Sequence, residues 1–500
     1  MTGFKISNTL HPVGIIVPGL VIAQVIAAIQ VYLSNMDLYA TVAAANAAGY
    51  LAIPNERVMS SLQNFPAAFF GGLFFSLSIG AGISLGTMAA VWIWTRVFLR
   101  NKFILLIFLF AWGAMLLLVN IHGFTLFPTL YFLLIPPGIF LLTARRETDA
   151  DIPSKKIQRL MHLIPIPLLA VLWFTQFDNE MFLDLRDNLL LSNFFGKKFS
   201  NFYYTYTLYP AEAFKSLDQK VIKTCRLENI PNPSINLKLA NRLMAYGYLL
   251  LPGEAKVDLK IIQKDENLLF QADGRPIFQI QVNQFLLDSK KVLRSYSIKR
   301  DCCAIFRQIT FLSLLIGFPL LIYMVLHAVF YYLFFLFLSR KRAALTASML
   351  CLLVGISVFV YFQSNRNRSI QISDISGALK SENWHSRVAA LKVIQHKKMD
   401  VADYQAYPLL LNSRVPQERY WFVKTLAFSR RPETFHDLLT FLNDKNTNIR
   451  SMAFLSLGLR KNPQAIKPLL EKIKISDDWY TQMYAYKALR ALGWKQTKSP

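Results

Sequence analysis

Residues 82–86 read Gly82-Ile83-Ser84-Leu85-Gly86, the GxSxG spacing that presents a serine nucleophile in many hydrolases. A serine nucleophile needs a base, and His327 stands in another apolar stretch. The motif requires a strand, a sharp turn and a helix, whereas here it lies inside a continuous apolar run. Gly71, Gly72, Ser76 and Gly80 extend it into a ridge of small residues. Such ridges let helices approach closely, so packing is the expected role.

Glu180, Asp184 and Asp187 cluster just beyond a further apolar stretch. Grouped carboxylates can hold a metal or exchange protons. Their spacing equally suits the solvated side of an amphipathic helix whose apolar side carries Met181, Phe182, Leu185, Leu189 and Leu190, and that is the role expected. A b-type haem needs histidines facing each other at matched depth. His11, His122, His162 and His327 sit at different depths or on one rim, so packing or hydrogen bonding is expected of them. The four cysteines, Cys225, Cys302, Cys303 and Cys351, form no CxxC, CxxCH or zinc-type spacing. No cofactor, metal or catalytic residue is therefore assigned. In an oxidising compartment Cys225 could pair with Cys302 or Cys303, and three free thiols are the alternative.

The elements that position these residues are mostly apolar. The chain of 500 residues is 54% hydrophobic with 39 Phe. Its mean hydropathy of +0.32 is unusual for a soluble protein. Seven stretches satisfy the roughly 20 residues that a membrane crossing needs: 12–33, 66–95, 103–119, 127–143, 160–176, 308–338 and 343–363. None contains Asp, Glu, Lys or Arg, which argues against ion-coupled transport. With the N-terminus in the cytoplasm, the inner loops carry 12 cations, from Lys5 to Arg342, while the short outer loops 34–65 and 120–126 carry only Arg57. That bias predicts a multi-pass protein of a bacterial-type inner membrane, with residues 177–307 and the C-terminal part in a periplasm-like space. Arg366 and Arg368 follow the last stretch and argue mildly the other way. The first stretch reads as a retained anchor, being longer than the roughly 7–15 apolar residues of a secretory signal, although the Ala-rich run 43–48 could supply a cleavage site. The net charge of +25 needs no nucleic-acid partner, because basic short loops are a topology signal.

Four units follow: a membrane domain over 1–176, an α+β domain over 177–307, two more spans over 308–363, and a helical repeat domain over 370–500. In the second, Val257, Leu259 and Ile261 alternate with polar residues, as do Phe278, Ile280 and Val282, with Asp273-Gly274 as a hairpin turn. An aromatic run, Phe194 to Tyr209, could be an interfacial belt, a lipid groove or ordinary core. In the fourth, Arg387, Arg419, Arg450 and Gln482 recur every 31–32 residues, each followed at the seventh residue by Ile394, Leu426, Leu457 and Leu489. An apolar stripe recurring at that period means stacked helix pairs.

The segments "HSRVAALKVI", "NTNIRSMAFLSLGLR" and "YTQMYAYKALRALG" resemble the second helices of HEAT-type repeats, of the short kind found in phycobilin-lyase-like proteins. The second repeat departs from the pattern by placing bulky Phe422 where a small residue is usual. The resemblance implies an α-solenoid that binds other macromolecules by surface and carries no catalytic residues. Residues 364–500 hold 23 Lys/Arg against 11 Asp/Glu. The repeating arginines suit a structural role between helix pairs. The non-repeating cations Lys397, Lys398, Arg430, Arg431, Lys461 and Lys467 are the candidate binding residues. The expected function is a scaffold or assembly factor that docks a membrane-associated protein, with an anionic lipid or envelope polymer also possible as ligand. The alternative is a membrane enzyme or lipid- or polymer-handling protein with a site between the helix bundle and residues 177–307.

Overall fold

The computed structural model describes residues 13–148, 164–178, 180–366 and 370–496, the side chains of 146–148 excepted. His11, His162, Lys5, Lys155, Lys156, Arg159 and Arg368 lie outside those residues. The described fold is mainly helical with one small sheet. Six helices are long and apolar enough to cross a membrane by length and composition: Val13–Ala47, Phe65–Arg96, Lys102–Val119, Leu126–Arg145, Ala304–Phe335 and Arg340–Arg366. Of the stretch 160–176, the helix Pro165–Phe174 is described, and its first residues lie outside the description.

Val13–Ala47 is longer than the apolar pattern suggested. Its 35 residues span about 52 Å at 1.5 Å per residue. The Ala-rich end favours helix over loop, and Val42 and Ala45 bury against Leu249 and Leu251 of the α+β unit. In Phe65–Arg96 a π-helical turn, Ser76–Gly80, joins two α-helical halves. The small-residue ridge does what its spacing implies. Gly19 leaves no room for a Cβ against Ser84, and a Cβ on Gly317 would meet the Gly82 Cα at 2.9 Å. The GxSxG glycine and serine are thus packing surfaces. At the centre, the rings of Phe75, Tyr131 and Phe306 stand 5.6–6.3 Å apart. Phe214, from the helix Leu208–Phe214, inserts between them, 5.2 Å from Phe75.

The α+β unit contains a five-stranded sheet of β1 (Lys223–Glu228), β2 (Tyr248–Leu250), β3 (Leu259–Lys264), β4 (Asn267–Ala272) and β5 (Arg275–Gln281). Its order is β2-β1-β3-β4-β5, with β1 parallel to both neighbours and the rest antiparallel. Asp273 and Gly274 make the expected hairpin turn, both at positive φ. The strand paired with β5 is β4, however, not residues 257–261. A second tight turn with Asp265 at positive φ places β4 between them. Helix Pro233–Ala245 and helix Ser289–Arg300 supply Leu239, Leu243 and Tyr296 to the core over this sheet.

The tail forms four helix pairs, ending with the second helices Trp384–Lys397, Pro416–Leu426, Thr447–Arg460 and Trp479–Ala491. Ile394, Leu426, Leu457 and Leu489 are all fully buried in one continuous cluster. Phe422 fits because its partner helix, Tyr407–Leu411, is only five residues long, and Tyr407 meets the ring edge-on at 5.2 Å. The periodic arginines form a ladder. Arg387 pairs with Glu418, Arg419 with Asp444 at 2.9 Å, and Arg450 with Asp478 at 2.9 Å. Each also donates to the carbonyl six residues earlier. Gln482 repeats that bond to the Ser476 carbonyl at 2.8 Å. Its amide oxygen accepts from the backbone N–H of Asn55 at 2.8 Å. The Asn55 side chain donates to the Ile473 and Ser476 carbonyls. Leu51 and Gln496 exchange two further bonds. The loop after the first long helix therefore caps the fourth helix pair, satisfying polar groups on its open side. Changing Asn55 to Ala should cost about 1–3 kcal/mol, since it orphans part-buried carbonyls. Asn55 also caps helix Glu56–Leu62, so faster hydrogen exchange in both that helix and Ile466–Ala491 is the expected sign, and unchanged exchange in Ile466–Ala491 would contradict the capping role.

Candidate functional site

Helix Met181–Leu185 runs into a π-helical turn, Arg186–Leu190, and both lie under the solenoid. The Asp187 carboxylate accepts from the Trp421 indole N–H at 2.9 Å and from Arg186 at 2.7 Å. The Arg186 guanidinium lies 3.7 Å from the centre of the Tyr420 ring, and the Gln417 amide donates to the Asp187 carbonyl. Asp184 pairs with Lys392 at 2.6 Å and with Arg366 at 3.0 Å. Both aspartates are buried, so the expectation of a solvated helix side is corrected. The helix side that looked solvated is covered by the tail, and cations from the tail and the last long helix neutralise it. Burial alone would lower the Lys392 pKa, but its bond to Asp184 raises it above the usual lysine value. The network is structural: it joins the solenoid to the end of helix Arg340–Arg366. Sequence spacing could not reveal it, because its members lie up to 234 positions apart.

Two clefts border the α+β unit. The first, of about 460 Å³, lies between the projecting end of Val13–Ala47 and the sheet. Gln30, Asp37, Lys220, Asp258 and Arg300 supply much of its polarity. Asp258 is nearly fully buried, with Lys220 at 2.7 Å, Arg300 at 3.2 Å and the Thr224 N–H at 3.0 Å. Burial would raise its carboxyl pKa, but the two cations and these bonds hold it below the usual carboxylate range. A folded-state value below the unfolded one, about 3.9, stabilises the fold above that pH and is lost as pH falls through the folded value. Protection of β1 and β3 amides, corrected for intrinsic exchange, should thus fall only below about pH 4 in the natural protein. Asp258→Asn should show weaker protection at pH 7 and a flatter acid limb, and an unchanged profile would refute the assignment.

The second cleft, of about 580 Å³, lies where the solenoid's last helix meets helix Leu208–Phe214 and the start of Ala304–Phe335. Lys215, Lys220, Arg307, Lys487 and Arg490 line it, with Asp218 as the acid. Three of these cations are matched by Glu212, Asp258 and Asp301. Burial, and then Lys215 as a like charge, lower the Lys487 amine below its ordinary value.

The six candidate cations are all exposed and fall along one edge of the solenoid. Lys398 and Lys461 end their helices at positive φ, the place Gly493 takes in the last repeat. Arg431 pairs with Asp403 at 2.6 Å, and the Arg430 backbone is held by Asp400. At the N-terminal end of the last helix, Trp479 and Met483 join the bundle's own core, while Arg490 near its other end reaches carbonyls of helix Pro233–Ala245.

None of the cysteines is bonded to another. In the structure Cys225 is not joined to Cys302 or Cys303: Cys225, on β1, is fully buried in the core, and the Cys302 thiol donates to the His122 carbonyl at 3.1 Å. Burial pushes the Cys303 thiol up to about 11. His327 lies 3.2 Å from the Ser348 hydroxyl, and Ser84 packs against Gly19, so the two are not a catalytic pair. Among the described residues, no group of three or more His, Cys, Asp or Glu could hold a metal ion.

A family model of HEAT repeats matches residues 405–490. The tail is a HEAT-type repeat region. No curated protein and no solved structure matches the chain. The HEAT match covers the last three helix pairs, and the ladder from Arg387 to Glu418 adds the first pair to the same stack.

Proposed function

We propose that the chain is a multi-pass membrane protein whose HEAT-type region is a rigid docking platform for an acidic partner protein on the outer side. One observation carries this reading. All the segments that the charge bias places outside touch one another. The 48–56 loop caps the tail, His122 meets Cys302, and Arg366 joins Asp184. Arg96, Lys102 and Arg340 sit at the other ends of their helices, with Arg100 in the turn between the first two. Reporter fusions at Pro500 and within residues 339–344 test the orientation. A reporter active in the cytoplasm at the chain's end would sink it.

The solenoid's second-helix face is covered by residues 181–209 of the same chain, leaving the exposed basic edge for a partner. HEAT-type repeats favour a protein as the ligand of that edge. The combined variant Lys397→Gln, Lys398→Asn, Arg430→Gln and Lys461→Asn removes four of its six cations, with Asn chosen where φ is positive. Soluble polyglutamate, as an acidic probe, should bind this variant about tenfold more weakly at low salt, since exposed charge pairs contribute about 0.2–1 kcal/mol each. Equal binding to both forms would remove the edge from the proposal.

A second reading, handling of an amphipathic ligand, is favoured by the first cleft, which opens between the bundle and the α+β unit. A stoichiometric lipid-like molecule retained through gentle purification would support it.

A further inference from the structure

Helix Phe194–Tyr206 carries three distinct stripes. Phe195, Phe199, Phe202 and Tyr206 recur at the i, i+4, i+7, i+11 spacing that aligns side chains on one helix face. Gly196 and Ser200 are buried on a second face, in line with Tyr204, whose hydroxyl donates to Asn448 of the solenoid. Tyr204 also meets Tyr480 edge-on at 5.1 Å. Lys197, Lys198 and Asn201 make a third, exposed face. The helix is held by the solenoid on its buried face, while Phe195 is 81% exposed and Phe199 52%.

The aromatic stripe does not end with the helix. Phe202 and Tyr206 lie 5.9 and 5.0 Å from Phe70. Phe70 in turn meets Phe69 at 5.5 Å, and Phe69 meets Phe65 at 6.3 Å. These three rings are exposed on the first turns of Phe65–Arg96, one of the six helices long enough to cross a membrane. The exposed row therefore passes without a break from a candidate span onto the helix under the solenoid. A soluble partner would need to cover both at once. A bilayer covers both, because the row begins on a surface that faces lipid if the helix crosses.

We propose that helix Phe194–Tyr206 lies in the plane of the outer leaflet, its Phe row inserted at the headgroup–acyl boundary and Lys197 and Lys198 among the headgroups. Aromatic rings favour that boundary, and amphipathic helices bury an apolar face about 5–10 Å into it. The solenoid then rests on a lipid-anchored helix as well as on the bundle.

This inference rests on the membrane reading, and the test separates the two. p-Benzoylphenylalanine replaces Phe195, Phe110 or Leu287 in the full chain, reconstituted in lipid nanodiscs, and adducts are identified by mass spectrometry after irradiation. Phe110 is 78% exposed within Lys102–Val119, and Leu287 is 88% exposed on the α+β unit. The expected result is lipid adducts at 195 and 110 and none at 287. Lipid at 110 with none at 195, or with a protein adduct at 195, overturns the interfacial helix and leaves the membrane reading standing. No lipid at 110 overturns both. Equal lipid labelling at 287 removes the contrast and overturns the helix placement too.

Discussion

Replacing Asp187 with Ala should release the solenoid from its seat and cost about 3–5 kcal/mol, the range for breaking a buried ion pair from one side. The carboxylate binds Arg186 and the Trp421 indole N–H, and both aspartate and arginine are nearly buried. Burial works against the Arg186 charge, and Asp187 more than offsets it, so the guanidinium stays charged. Without Asp187, that cation is left under the Tyr420 ring with no anion, and the indole N–H loses its acceptor. Asp187→Asn keeps an acceptor for Trp421 and removes only the charge, so its cost should be intermediate. Exchange of amides in Met181–Leu190 and Pro416–Leu426, measured on the detergent-solubilised full chain, should rise together, because the loss occurs at their shared interface. A rise confined to one segment, or none, would show that the network does not hold the seat.

Leu457→Ala should destabilise the stack by about 2–5 kcal/mol, the usual cost of emptying a leucine site that cannot collapse. Leu457 is fully buried in the third helix pair, with repeats on both sides, so neither neighbour can close in freely. A solenoid transmits such damage chiefly to adjacent repeats. Exchange should therefore accelerate most in Thr447–Arg460 and its two neighbouring pairs and least in Trp384–Lys397. At about 1.4 kcal/mol per tenfold, 2–5 kcal/mol corresponds to exchange faster by roughly 30- to several-thousand-fold. An effect below tenfold would mean the site is looser than its burial implies. Leu287→Ala, at an exposed position, is the control expected to change little.

The periodic parts of this protein were legible in its residues, and the reason is local. Apolar runs of about 20 residues and a 31–32-residue stripe each specify an element whose contacts lie within itself or its sequence neighbour. Ile394, Leu426, Leu457 and Leu489 could be assigned to the core, and Arg387, Arg419 and Arg450 to the joints, before any coordinates. The hairpin turn at Asp273-Gly274 was equally readable, since its backbone geometry is demanded by two adjacent residues.

What only the tertiary structure decided are the contacts between elements far apart in the chain. Asp184 and Asp187 have the spacing of a solvated helix side, and only the packing of the tail buries them. Asn55 reads as an ordinary loop residue, yet it closes a repeat stack more than 400 positions away. The parallel pairing of β1 with β2 and β3 brings no turn signal with it, because parallel strands are joined by crossovers rather than tight turns. The separate faces of helix Phe194–Tyr206 follow the same division. Its aromatic spacing is written in the residues, but which face meets the solenoid and which stays bare depends on where Asn448 and Tyr480 come to lie. Local periodicity determines elements, whereas a buried charge or a terminal cap is determined by partners that no sequence interval encodes.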